Sequence, residues 1–199
     1  TPVLSSAASD VYKRQLQWFS LKTIYFIISL YFYINLDNIM NIAIVGGGIV
    51  GLALGYKLSK VKGNKVHVYE KEKEVGFHQS GRNSGVLHCG LAYKPGSLKA
   101  KLAVSGIKQM VKYCVDYKIN HDVCGKIVVA SNEDEAKLLE NTAQRGNLNG
   151  LKGLKYLNNR ELKDREPFVS SHKTLLVPEE GIVDYKGVMM SMKENIINS

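Results

Sequence analysis

The sequence predicts an α/β fold: a parallel sheet opened by a βαβ unit, followed by the beginning of an α+β domain. Three observations predict it. Met40-Asn-Ile-Ala-Ile-Val-Gly-Gly-Gly-Ile-Val-Gly51 carries a β-branched apolar run straight into glycines at positions 46, 48 and 51. A helical pattern follows through Leu52, Ala53, Leu54, Tyr56 and Leu58 to Ser59, and Gly63 and Asn64 supply a turn. Lys65-Val-His-Val-Tyr69 then alternates as a strand does, and Glu70 closes it.

The first strand and helix form the G-x-G-x-x-G arrangement, and each glycine has a physical task. Gly46 makes the tight strand-to-helix turn, Gly48 lets backbone approach a pyrophosphate, and Gly51 lets the helix pack closely on the strand. The pyrophosphate then lies at the positive end of the helix, where unpaired N–H groups point outward. Glu70 lies 19 residues beyond Gly51, where a dinucleotide-binding βαβ unit places the carboxylate that accepts hydrogen bonds from a ribose diol. A glycine triplet alone is also found in ordinary turns. Strand, triplet, helix and terminal carboxylate together favour the Rossmann-like reading.

The two ends of the chain read differently from its middle. Residues 1–15 lack periodicity and resemble translated adapter sequence. Ile24–Ile34 is an uninterrupted apolar run of 11 residues preceded by Lys13, Arg14 and Lys22. It resembles a signal anchor but falls short of the about 20 apolar residues that a spanning helix needs. Its Tyr, Phe, Ile and Asn bias also fits spurious translation of AT-rich sequence. Residues 1–39 are therefore expected to be a non-native or poorly ordered extension, with Met40 as the native start. At the other end a helical pattern from Gly187 to Ile196 is still running when the sequence stops, so truncation is expected. The remaining division is 40–120 as a cofactor-binding core and 121–199 as an incomplete substrate domain.

The net charge of +9 comes from 27 basic and 18 acidic residues. Without residues 1–39, which hold Lys13, Arg14, Lys22, Asp10 and Asp37, it is +8. The lysines are interspersed with acidic residues and form no aromatic-interleaved stripe. Small anionic ligands are expected and nucleic acid is not. Cys89, Cys114 and Cys124 are odd in number and form no C-x-x-C, which argues against a disulfide framework or a zinc site. A reduced cytoplasmic protein is expected, with peripheral association at the inner face of the membrane as the alternative that residues 24–34 raise.

Residues 71–90 are rich in Gly, Ser, Asn and His but punctuated by Val75, Phe77, Val86 and Leu87, the pattern of an ordered functional loop. Ser97 caps a helix whose core stripe is Leu98, Leu102, Ala103, Ile107, Met110, Val111 and Cys114. Asn120 and His121 mark a turn and residues 123–130 a strand. A helix capped at Ser131 or Asn132 follows. Residues 154–157 form a short strand, and Asn158 caps a brief helix that Pro167 stops. Residues 175–177 and 181–183 are expected to make a hairpin around Pro178-Glu-Glu-Gly181.

With His78-Gln-Ser-Gly-Arg-Asn-Ser-Gly85, His88, Gly90 and Tyr93-Lys-Pro-Gly-Ser-Leu-Lys-Ala100 in view, residues 40–199 resemble the N-terminal half of a D-amino-acid-oxidase-like flavoprotein. Within that superfamily they are most similar to the L-2-hydroxyglutarate oxidase/dehydrogenase group. Cys124–Ala130 and Pro178–Val183 also match. Ala92 stands where the group usually has an aromatic residue, which removes any contact such a ring would make.

The resemblance implies FAD, with Gly46, Gly48 and Gly51 at its pyrophosphate, Glu70 on the adenosine ribose and Lys71 near the ADP moiety. It implies that Arg82, Asn83, Ser84 and Gly85 run past the pyrophosphate toward the flavin. His88 would then lie near the isoalloxazine, where a neutral imidazole could take a hydroxyl proton as hydride leaves for the flavin; a hydrogen-bonding role without proton transfer is the alternative. Tyr93 is the candidate substrate contact. Cys89, next to His88, is read as a small packed residue rather than a flavin attachment point.

The implied activity is FAD-dependent oxidation of a small anionic 2-hydroxy acid, foremost L-2-hydroxyglutarate to 2-oxoglutarate, with oxygen or a quinone as acceptor. Rivals are a glycerol-3-phosphate-dehydrogenase-like or amino-acid-oxidising flavoenzyme, a nicotinamide-binding domain, and an inactive or membrane-anchored fragment. The 199-residue piece alone is expected to be inactive.

Overall fold

The structure is a computed structural model that describes residues 40–199. The expectations for residues 1–39 lie outside the described residues. Strand β1 (Asn41–Val45) leads through the glycine turn into helix α1 (Ile49–Ser59), and β2 (Lys65–Tyr69) returns beside β1. The two strands are parallel, in register from Asn41 opposite Lys65 to Val45 opposite Tyr69. This is the predicted βαβ unit. Alternation buries or half-buries Ile42, Ile44, Val66 and Val68 while Asn41, Ala43, Val45, His67 and Tyr69 are exposed, so one face of the pair carries the core.

The loop beyond β2 contains a single 3₁₀ turn (Gln79–Gly81) and the two-residue strand β3 (Val86–Leu87). Helix α2 (Leu98–Asp116) begins at the predicted cap, with Ser97 Oγ accepting the Ala100 N–H at 3.2 Å. Its stripe departs from expectation at one end. Leu98 and Leu102 are exposed, and the buried residue of the first turns is Ala100; Cys114 is fully buried near the other end. The inward face there is Ala100, Ala103, Val104 and Ile107, so the stripe is rotated away from Leu98 and Leu102.

Two small antiparallel sheets follow. One orders β3, β8 (Gly181–Val183) and β4 (His121–Asp122); the other orders β5 (Lys126–Ala130), β7 (Lys173–Val177) and β6 (Lys155–Leu157). The strand expected over 123–130 starts only at Lys126, because Gly125 turns the chain with φ +80°, and His121, expected in a turn, pairs with Val183 instead. The expected hairpin over 175–183 does not form. β7 and β8 are each the middle strand of a different sheet, so both edges of each are already paired and Pro178–Glu180 carries the chain from one sheet to the other.

Helix α3 (Glu133–Leu148) is capped by Asn132, whose Oδ1 accepts the Glu135 N–H at 3.0 Å, and α4 (Asn159–Arg165) starts with a full Asn158–Glu161 capping box. The last helix, α5 (Tyr185–Ile197), returns to α1. Leu52, Val188, Met189 and Met192 share one buried cluster with Cys114 and Leu87. A Cβ on Gly55 would lie 2.9 Å from Ile196 Cδ1, which shows how closely the two helices meet. Tyr117 adds polar pins, with its hydroxyl 3.0 Å from that of Tyr56 on α1 and donating to Asn195 Oδ1 on α5 at 3.0 Å. A second apolar cluster, with Cys89, Ala136, Leu139, Leu175 and Val177, lies between α3 and the β5–β7–β6 sheet. No helix among the described residues is long and apolar enough to cross a membrane.

Candidate cofactor and proton-transfer site

The turn between β1 and α1 is held by backbone. Gly46 donates to Tyr69 O at 2.8 Å and has φ +106°, a conformation that favours glycine. A Cβ on Gly51 would sit 2.0 Å from Gly46 O, so only glycine lets the helix start where it does. α1 has no side-chain cap of its own at Gly48. The cap comes from 31 residues away, where Ser80 Oγ accepts the Ile49 N–H at 3.0 Å. The N–H groups of Gly48, Val50 and Gly51 have no hydrogen-bond partner among the described residues. Three orphan donors at a helix N-terminus, approached through bare glycine backbone, fit an anionic pyrophosphate.

Glu70 frames the same turn. Its Oε2 accepts the Gly47 N–H at 2.7 Å and its Oε1 the Glu72 N–H at 3.0 Å. The Glu72 amide, then the Gly47 amide, hold the Glu70 carboxyl below the usual carboxylate range. Each oxygen keeps a lone pair, so the carboxylate can organise the turn and still accept from a ribose hydroxyl.

The other predicted site residues separate into those that shape the loop and those that leave it. Asn83 spends its side chain internally: Nδ2 donates to Ser80 O at 2.8 Å and Oδ1 accepts the Gly85 N–H at 2.8 Å. Arg82 lays its guanidinium over the Phe77 ring, 4.7 Å from the centroid. Lys71 is exposed and pairs with Glu72 at 3.4 Å. Ser84 and Gly85 line an open cavity of about 440 Å³ together with Asn120–Asp122 and Ile182–Asp184. Tyr93 sits on the turn before α2, with Lys99 Nζ 4.3 Å from its ring centroid and its carbonyl accepting from Asn149 Nδ2 at 2.9 Å.

Ser80 was not singled out by sequence. The available signal was its place in the His-Gln-Ser-Gly run, but nothing local showed that it caps a helix in another part of the chain. Glu180 was missed for a similar reason. The pairing of Leu87 with Gly181 brings the next residue, His88, toward Glu180, and His88 Nδ1 lies 3.7 Å from Glu180 Oε1. Glu180 is 2 % exposed. Cys89 Sγ donates to the same Oε1 at 3.5 Å, and Lys126 Nζ is ion-paired against Oε2 without the angles of a hydrogen bond. Burial first, and then the Glu180 charge, push the Cys89 thiol up to about 12. Cys89 is thus a protonated core residue, not a nucleophile.

Comparison with known proteins gives the family of the chain. A model of the FAD dependent oxidoreductase (DAO) family matches residues 41–198.

The chain belongs to the FAD-dependent oxidoreductase family.

FAD is accordingly its cofactor. The chain is 47 % identical over 146 residues to the L-2-hydroxyglutarate dehydrogenase of Indibacter alkaliphilus, covering 73 % of this chain and 37 % of that protein. Against the mitochondrial L-2-hydroxyglutarate dehydrogenase of Homo sapiens it is 40 % identical over 156 residues, 78 % of this chain and 34 % of that one. The chain therefore spans about a third of these relatives. Among solved structures, L-α-glycerophosphate oxidase from Mycoplasma pneumoniae with FAD bound superposes with a TM-score of 0.69 at 29 % identity, covering 80 % of this chain and 44 % of that one. Glycine oxidase from Geobacillus kaustophilus has a TM-score of 0.71 at 23 % identity, over 78 % of this chain and 44 % of its own, and supports the fold of this FAD-dependent oxidoreductase.

Proposed function

We propose that the whole protein oxidises L-2-hydroxyglutarate to 2-oxoglutarate. The observation that carries this reading is the 40–47 % identity to L-2-hydroxyglutarate dehydrogenases across most of the chain. In this reading residues 40–120 hold the cofactor and residues 121–199 begin the substrate-facing part. Gly46, Gly48 and Gly51 border the pyrophosphate, with the Gly48 and Val50 amides and the Ser80 hydroxyl beside it. Glu70 accepts from the adenosine ribose, Lys71 lies near the ADP moiety, and the Arg82–Gly85 loop leads toward the flavin.

Bound FAD supplies the acceptor for the hydride that leaves the substrate carbon. The chain's own part is the proton. His88 is 57 % exposed, and in this reading its imidazole is the base that takes the substrate hydroxyl proton. Tyr93 contacts the substrate from the turn before α2. The excess of basic residues draws a dianionic hydroxy acid toward the site. Oxygen or a quinone takes the electrons onward, and the protein works in the cytoplasm or at the inner face of the membrane.

The test uses the full-length protein under anaerobic conditions, following loss of the visible flavin absorption on addition of L-2-hydroxyglutarate, glycerol 3-phosphate or D-amino acids. Bleaching by L-2-hydroxyglutarate at the lowest concentration is expected. Bleaching only by glycerol 3-phosphate would favour the second reading, which the 29 % identity to a glycerophosphate oxidase motivates.

A further inference from the structure

Glu180 is a buried carboxylate that the cofactor turn does not use. Placing such a charge in the interior costs several kcal/mol unless partners meet it, and here the partners come from three directions. Lys126 reaches Oε2 from the first residue of β5. The Cys89 thiol donates to Oε1. His88 Nδ1 faces the same Oε1 at 3.7 Å, a contact slightly longer than a hydrogen bond.

The backbone fixes this meeting. Gly125 N–H donates to Glu180 O at 2.8 Å, just before Lys126, and a Cβ on Gly181 would lie 2.2 Å from Asp122 O. The turn that carries Glu180 is therefore clamped between β4, β5 and β7. On the other side of the ring, no described residue hydrogen-bonds His88 Nε2.

We propose that Glu180 is a positioning residue for His88, its buried carboxylate holding the imidazole proton on Nδ1 so that Nε2 is left as the unprotonated, outward-facing acceptor. The two nitrogens of a neutral imidazole differ only in which carries the proton, and a carboxylate facing one of them settles the choice. Lys126 offsets the Glu180 charge, and Cys89, kept protonated by burial, can only donate. The functional consequence rests on the proposed role of His88 as base, while the tautomer itself does not.

The experiment uses the full-length FAD-loaded protein labelled with ¹⁵N-histidine and multiple-bond ¹H–¹⁵N spectra, with His88→Asn identifying the signal. A pyrrole-type Nδ1 and a pyridine-type Nε2 are expected for His88. In Glu180→Met, which leaves no acceptor, the Nδ1 resonance should move to the pyridine type or to the average of both. Should Lys126, left without its partner, prevent folding, Lys126→Met with Glu180→Met replaces the pair by apolar residues of similar volume, an exchange that buried pairs often tolerate. A proton on Nε2 in the unsubstituted protein, or an unchanged tautomer in the Glu180 variants, would overturn the proposal. In turnover, Glu180→Met should lower kcat about tenfold with KM within twofold, less than the ~10²–10⁴-fold that proton transfer by a positioned base contributes in full, because the base itself is kept. If His88→Asn turns over normally while the tautomer still depends on Glu180, the base assignment fails and the orienting role stands.

Discussion

Two carboxylates, Glu70 and Glu180, organise two places in this molecule by opposite means. Glu70 closes β2 and accepts from two nearby backbone amides, Gly47 and Glu72; apart from Ser80 and Gly76, whose amide donates to Gly47 O at 2.9 Å, the hydrogen bonds of the turn it frames come from residues 41–72. Glu180 is enclosed and its carboxylate meets only side chains, from β5 and from the segment after β3. The contrast shows how holding a cofactor and handling a proton make different demands. A pyrophosphate is recognised by backbone that glycine exposes, so the sequence must supply spacing. A positioned imidazole needs side chains whose meeting is set by strand register and sheet order, so the sequence must supply a fold first.

The contrast can be broken most sharply at Gly51. A Cβ there would lie 2.0 Å from Gly46 O, and backbone cannot swing aside as a side chain can. Gly51→Ala in the full-length protein should cost roughly 3 kcal/mol, the upper end of usual overpacking, and remove bound flavin. Urea unfolding with flavin content checks both; a stable, yellow Gly51→Ala protein would refute the backbone account. Next in size is Lys126→Met, which leaves the Glu180 charge enclosed without its cation. Fully buried pairs lose 3–5 kcal/mol when one partner is removed; with Lys126 36 % exposed, about 2 kcal/mol is expected. Adding Glu180→Met should restore most of it, and a double variant no better than the single would count against the pairing.

Ser80→Ala ranks third and tests the link between the two places, since Ser80 sits in the loop that runs from the cofactor turn toward His88. Losing the remote cap of α1 should cost about 1 kcal/mol and weaken FAD severalfold, measured by thermal unfolding and by flavin release. A Ser80→Ala protein that matches the parent in both would mean that the Ile49 amide is equally well served by water.

The same division explains what could be read before the fold was known. The β1–α1–β2 unit, its glycines and Glu70 were legible because they depend on neighbours within 30 residues and on two periodicities, 2.0 and 3.6. Caps were legible for the same reason, as Ser97 and Asn132 show. Failures came where partners are distant. Nothing near 175–183 reveals that β7 and β8 pair in separate sheets, and a hairpin was the economical local reading. That same sheet switch places Glu180 beside His88, so missing it hid the cluster. Leu98 and Leu102 erred in the other direction: their spacing was helical, but burial depends on what stands opposite.

The smallest effect concerns Glu70 itself and has a definite sign in pH. The Glu72 and Gly47 amides lower its folded-state pKa from the usual 4.5, so the ionised form is favoured by folding. The stability this contributes is fully present above the unfolded value and is lost as pH falls through the lowered folded value. Glu70→Gln keeps the shape and one acceptor oxygen but abolishes the titration. The melting temperatures of the two proteins should therefore differ at pH 6 to 7, about two units above the unperturbed carboxyl, and converge as acid protonates Glu70. Glu140 and Glu161, lowered chiefly by hydrogen bonds from Lys173 and Lys155, titrate in both proteins and cancel in the comparison. A difference that stays constant into acid would mean that the carbonyl-like oxygen, not the charge, holds the turn, and would leave Glu70 and Glu180 less distinct than their surroundings suggest.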